Sequence, residues 1–178
     1  YNYYFLIFGI QSLILLHHFM HQKVVITGGP GTGKSTVITA LQNQYTCMPE
    51  VSRSVTRDAQ NRGIDQLFLH DPLIFSELLL NERIKQYQQA EEFADETVFF
   101  DRGIPDVMGY LDYLGVEYPE QYRRESFERR YDRIFMMPPW KKIYQTDSER
   151  YESFDQALLI FEKLKSTYSR LGYSFEII

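Results

Sequence analysis

A chain of 178 residues with 44% hydrophobic content is long enough for one well-buried α/β domain and too short for two. Its formal net charge of −5, with no basic run interleaved with aromatics, excludes a general electrostatic affinity for nucleic acid. The single cysteine, Cys47, excludes an internal disulfide and has no Cys or His partner at metal spacing, so a reducing, cytoplasmic setting is expected.

Residues 1–22 contain no Lys, Arg, Asp or Glu. From Tyr3 to Met20 only Gln11, Ser12, His17 and His18 interrupt an apolar run of about the length that spans a membrane. The segment reads either as a non-native or upstream leader or as an anchor that would bring the protein to a membrane. The leader is favoured: there is no basic n-region and no small-residue cleavage site, and Met20 stands like a start just ahead of the first core strand. The domain proper is 23–178.

Lys23 to Thr27 is a short β-branched run that reads as a buried strand, and Ser35 to Gln44 carries Val37, Ile38 and Leu41 at helical spacing. Between them Gly28 to Ser35 spells a complete G-x-x-x-x-G-K-[ST] phosphate loop. Main-chain amides can converge on a phosphate only through turns that side chains would obstruct, and Gly28, Gly31 and Gly33 supply those turns. The ATP-binding segment is therefore Gly28, Gly29, Pro30, Gly31, Thr32, Gly33, Lys34, Ser35 and Thr36, with Lys34 reaching the β and γ oxygens and Ser35 holding Mg2+. Tyr45 to Val51 reads as a modest strand, Ser52 to Arg62 as a polar helix, and Pro72 to Gln89 as a longer helix opened by the Asp71-Pro72 cap. Thr97 to Asp101 is apolar on both faces, as a central strand is.

Helical segments follow around Pro105 to Tyr113 and Pro119 to Arg130, then a strand at Arg133 to Met137. Thr146-x-x-Glu149 reads as a capping box for a last helix with an apolar stripe of Phe154, Leu158, Phe161, Leu164 and Tyr168. Gly172 ends that helix, and Tyr173 to Ile178 is a final strand. Strands alternating with helices predict a three-layer α/β P-loop NTPase fold with a mainly parallel five-stranded sheet.

The strand end Asp101-Arg102-Gly103 separates the P-loop classes. A motor-type ATPase would end that strand in Asp-Glu, and a GTPase would show an Asn/Thr-Lys-x-Asp motif; neither is present. Asp-Arg is what small-molecule P-loop kinases carry, the Arg neutralising phosphate and the Asp orienting Mg2+ or an acceptor hydroxyl. A loop or cap acid is the structural alternative for Asp101. Glu50 reads as a base for the acceptor hydroxyl or as a helix-start acid, and Arg53 as its partner, a phosphate contact or a solvated residue. Arg123, Arg124, Arg129, Arg130 and Arg133 crowd the approach to the fourth strand, and Arg123 and Arg124 are the candidates for a lid that closes over the triphosphate. Glu125, Glu128 and Asp132 among them make a self-paired helix the alternative.

Val24 to Ser35, Pro49-Glu50-Val51-Ser52-Arg53, Phe99 to Gly103, and Tyr131 to Glu152 with Pro138-Pro139-Trp140 together resemble the AAA-type P-loop family grouped around the ribosylnicotinamide kinase domain of the bacterial NAD regulator and the translocation-defect proteins. The resemblance spans nearly all of 23–178 and implies a nucleoside- or nucleotide-kinase-like fold. Its kinase member implies transfer of the ATP γ-phosphoryl to a nucleoside-like acceptor, with Glu50, Arg53, Trp140, Asp147 and Arg150 on the acceptor side. Lys141 to Thr146 separate Trp140 from Asp147, a departure that tells against nicotinamide riboside itself. The alternative is a nucleotide-gated regulatory ATPase or GTPase that binds a protein or lipid partner.

Overall fold

The computed structural model describes residues 22–64, 67–93, 96–142, 144 and 152–178. Strand β1 (Gln22–Gly28) runs into the phosphate loop and helix α1 (Lys34–Leu41). Strand β2 (Thr46–Met48), helices α2 (Ser52–Asn61), α3 (Leu67–His70) and α4 (Pro72–Gln89), and a 3-10 turn at Ala90–Phe93 lead to strand β3 (Thr97–Asp101). Helices α5 (Pro105–Leu114) and α6 (Glu120–Glu128), strand β4 (Arg133–Met137), helix α7 (Phe154–Arg170) and strand β5 (Glu176–Ile177) complete the order.

The five strands form one sheet in the order β2-β3-β1-β4-β5, and every pairing is parallel. Alternation along each strand divides the core. Val25, Val98, Phe100, Ile134 and Met136 face one cluster, built with Ile104, Leu111 and Tyr168. Val24, Ile26, Phe99, Phe135 and Met137 face the other, against Val37, Ile38 and Leu41 of α1. Both faces are covered, as an all-parallel sheet requires.

β1 lies between β3 and β4, with Ile26 beside Asp101 and Gly28 beside Met137. The phosphate loop and the end of β3 therefore leave the sheet side by side, the crevice where open α/β sheets bind ligands.

Several boundaries differ from expectation. β2 and β5 are shorter than the segments 45–51 and 173–178, because edge strands have one ladder to hold them and Pro49 closes the first. The Asp71 cap forms as expected, its Oδ1 accepting from the Ile74 amide at 2.9 Å. The capping box expected at Thr146 and Glu149 lies outside the described residues. α7 opens instead at Phe154, where Ser153 and Gln156 cap each other's amides. Its buried line runs through Ala157, Ile160, Phe161, Leu164 and Tyr168, and Leu158 is 40% exposed, since a straight helix carries position 158 off the buried side. Among the described residues no helix is long and apolar enough to cross a membrane. Of the apolar leader expected at 1–22, residues 1–21 lie outside them, and Gln22 opens β1.

Candidate active site

The phosphate loop is wedged against the end of β4. Gly28 has φ 149°, and a Cβ there would stand 2.3 Å from the Met137 carbonyl oxygen, so only glycine fits. Gly33, left-handed at φ 89°, turns the chain into α1 and leaves that helix's first amides free of side-chain caps. Lys34 is buried, and its Nζ donates to the Gly29 carbonyl at 2.6 Å and to Thr32 Oγ1 at 3.1 Å. Burial, then the Arg102 cation, push its pKa down to about 7, against the pull of Asp101, Glu50 and Asp106.

Arg102 is the one non-glycine residue with positive φ (73°) among the described residues. Such a backbone costs on the order of 1 to 3 kcal/mol and persists only where surroundings impose it. Here its amide donates to the Ile26 carbonyl (3.0 Å) and its Nη1 to the Gly28 carbonyl (2.8 Å). Nε donates to Glu50 Oε1 at 3.1 Å, and the guanidinium lies over the Tyr110 ring. The side chain thus ties the end of β3 to the root of the phosphate loop and to the segment after β2.

Asp106 anchors this arrangement. It is 0% exposed and accepts from Thr27 Oγ1 (2.5 Å), the Gly103 amide (3.0 Å), Tyr168 Oη (2.6 Å) and Arg102 Nη1 (3.4 Å). Sequence reasoning missed it; the available signal was an acid in the first turn of α5, three residues beyond Gly103.

A cavity of about 560 Å³ opens on the phosphate loop and is lined by Lys34, Ser35, Glu50, Arg53 and Arg102 together with an apolar wall that includes Phe68, Phe75 and Tyr110. Glu50 and Arg53 thus line the same cavity as Lys34. Burial works to raise the Glu50 pKa, but Arg102, Lys34 and the Ser52 hydroxyl override it and hold the carboxyl at about 2. Asp101 is 5% exposed and does not line the cavity, with Oδ1 unpartnered among the described residues; burial and Glu50 raise its pKa against the opposing pull of Lys34, Arg102 and Arg83. Arg123 and Arg124 are exposed on α6 beside Glu120 and Glu125 and do not line the cavity, the self-paired arrangement. Trp140, 40% exposed in the turn after β4, does not line it either, because that turn carries the ring into solvent. Asp147 and Arg150 lie outside the described residues. Arg83 of α4, buried and lining the cavity, carried no sequence signal beyond its helix.

The AAA domain family matches residues 23–178. The chain belongs to that family. No curated protein matches it by sequence. Among solved structures, this AAA domain is similar to a NadR protein in complex with NR (18% identity, TM-score 0.66, 89% of this chain and 43% of that one). It is also similar to a deoxyadenosine kinase from M. mycoides with bound dATP (17% identity, TM-score 0.56, 89% and 90%). Thymidylate kinase from Candida albicans matches at 14% identity, TM-score 0.61, over 91% and 84%. The chain spans less than half the length of the NadR chains it matches. These likenesses establish the expected three-layer P-loop fold of the nucleoside and nucleotide kinase kind.

Proposed function

We propose that this AAA domain binds ATP and moves its γ-phosphoryl to a small nucleoside-like acceptor. The observation that carries the reading is convergence: Lys34 of the phosphate loop, Arg102 after β3 and Glu50 after β2 meet at one cavity from three separate segments. The loop amides and the start of α1 would receive the β-phosphate, Lys34 the β and γ oxygens, and Arg102 the charge that shifts in transfer. Ser35 opens on the cavity and Asp101 Oδ1 is a buried acceptor without a partner, donors that suit the oxygen preference of Mg2+. Mg2+ held there would offset phosphate charge during transfer. The likeness in fold to proteins described as deoxyadenosine and thymidylate kinases supports the same class of reaction.

A panel of nucleosides, vitamins and their phosphates incubated with ATP is the direct test. At least one acceptor is expected to speed ADP release and to yield a phosphorylated product. ATP consumption that stays flat across a broad panel would end this reading.

ATP binding has a proton signature. With the Lys34 pKa lowered to about 7, the side chain of the ligand-free protein is largely the neutral amine at pH ~8, and a bound triphosphate would restore its charge. Calorimetry in buffers of differing ionisation enthalpy is expected to register uptake of about one proton at pH ~8 and almost none at pH ~6. Equal uptake at both values would contradict this origin.

A further inference from the structure

Arg83 reaches the cavity from α4 and is 3% exposed. Its Nη1 donates to the Gly103 carbonyl at 2.7 Å, its Nε meets no acceptor, and no carboxylate of the described residues pairs with it. The Asp101 carboxylate acts on this guanidinium only through space, with no ion pair between them, and the guanidinium's planar fork is shaped for two oxygens of one anion. Gly103 directly follows Arg102, whose guanidinium holds the Gly28 carbonyl. Arg83 therefore sits beside the place where the γ-phosphoryl would face its acceptor.

The surrounding charge points the same way. Lys34, Arg53, Arg57, Arg83 and Arg102 line the cavity against the carboxylates of Glu50 and Glu152. Arg57, one helical turn beyond Arg53 at the exposed edge of α2, forms no ion pair among the described residues. Glu50 is committed elsewhere: it accepts from Arg102 and from the Ser52 hydroxyl at 2.8 Å, and Arg53 lies at 3.8 Å.

We propose that the acceptor enters already carrying a phosphate group, which Arg83 binds at the inner end of the cavity with Arg57 at its mouth, and that this phosphate is the nucleophile. The proposal rests on the phosphotransferase reading and narrows it. An anionic oxygen of the acceptor phosphate forms a bond to the γ-phosphorus. The bond from that phosphorus to the bridging oxygen breaks, its electron pair leaves on ADP, and the second product is the acceptor diphosphate. No proton leaves the acceptor, because a phosphomonoester is mostly dianionic near neutral pH. A base is then unnecessary, in keeping with a Glu50 carboxyl held at about 2, far from the range where a general base works best.

The test uses the full chain, ATP, and matched pairs of nucleosides and nucleoside 5′-monophosphates. One monophosphate is expected to speed ADP release at least ~10-fold over ATP alone while its parent nucleoside stays at background. Inorganic phosphate is expected to compete with that monophosphate. Arg83→Gln is expected to raise the KM for the monophosphate by ~10-fold or more with the KM for ATP within about threefold, and Arg83→Lys to recover part of the loss. Arg57→Gln, at an exposed position that folding tolerates, is expected to raise the same KM about threefold. Phosphorylation of nucleosides with monophosphates inert would overturn the proposal and leave the kinase reading standing. Both classes inert, with ATP still bound, would remove both. An unchanged monophosphate KM in Arg83→Gln and Arg57→Gln would overturn the assignment of these arginines.

Discussion

Lys34→Ala is expected to weaken ATP binding by ~100-fold or more, the equivalent of about 3 kcal/mol of charge-assisted hydrogen bonds, and to bring turnover to background. The same substitution is expected to leave the ligand-free fold as stable as the parent or more so. The reason lies in the burial of the ammonium. Its pKa is lowered from 10.5 to about 7, so the unfolded chain holds that proton more tightly than the folded one. Between pH ~7 and ~10.5 the unfolded state therefore binds more protons, and stability rises with pH through that window. Below it the full cost is present, on the order of 5 kcal/mol net of the bonds to Gly29 and Thr32. Titration calorimetry and thermal melts at pH 7 read both halves. Retained ATP affinity in Lys34→Ala would remove the phosphate-loop assignment on which everything functional rests.

The largest effect on folding is expected at Asp106. Asp106→Ala strands the Thr27 and Tyr168 hydroxyls, the Gly103 amide and one face of Arg102, all inside the core. Breaking a buried charged network by removing one partner costs about 3 to 5 kcal/mol. In a chain of this size that lowers the melting temperature by about 10 °C or more. Asp106→Asn keeps the volume but turns an amide donor toward groups that are themselves donors, so an intermediate loss is expected. With one contact of Arg102 and the bond to the Gly103 amide lost, the left-handed turn after β3 is less constrained and ATP turnover is expected to fall alongside stability. A melting temperature for Asp106→Ala within ~2 °C of the parent would show that this carboxylate is not the anchor.

The elements most legible in the sequence are those whose causes are local. The phosphate loop is a contiguous run because its ligands are successive main-chain amides, and the glycine φ angles that aim them are set residue by residue. Asp71-Pro72 marked the start of α4 because a cap acts over three residues. The continuous apolar run at β3 marked a strand buried on both faces. Where two local signals competed, the expectation slipped: Thr146 and Glu149 have the spacing of a capping box, but Ser153 and Gln156 form the box that opens α7. Leu158 shows the same limit, since hydrophobic spacing fixes a stripe only to within a residue or two.

Amino-acid order by itself determined a mainly parallel P-loop α/β fold and pointed to the segment Gly28 to Thr36 that would cradle phosphate. Only tertiary structure decided which charged side chains share the cavity. Asp106 draws its partners from β1, 79 positions away, and from α7, 62 positions away. Arg83 meets the end of β3 across 20 positions. Arg123, Arg124 and Trp140 had suitable chemistry, yet packing turned them outward. Periodicity and capping encode backbone geometry over a few residues, whereas a buried charge is defined by partners that only the folded chain brings within hydrogen-bonding distance.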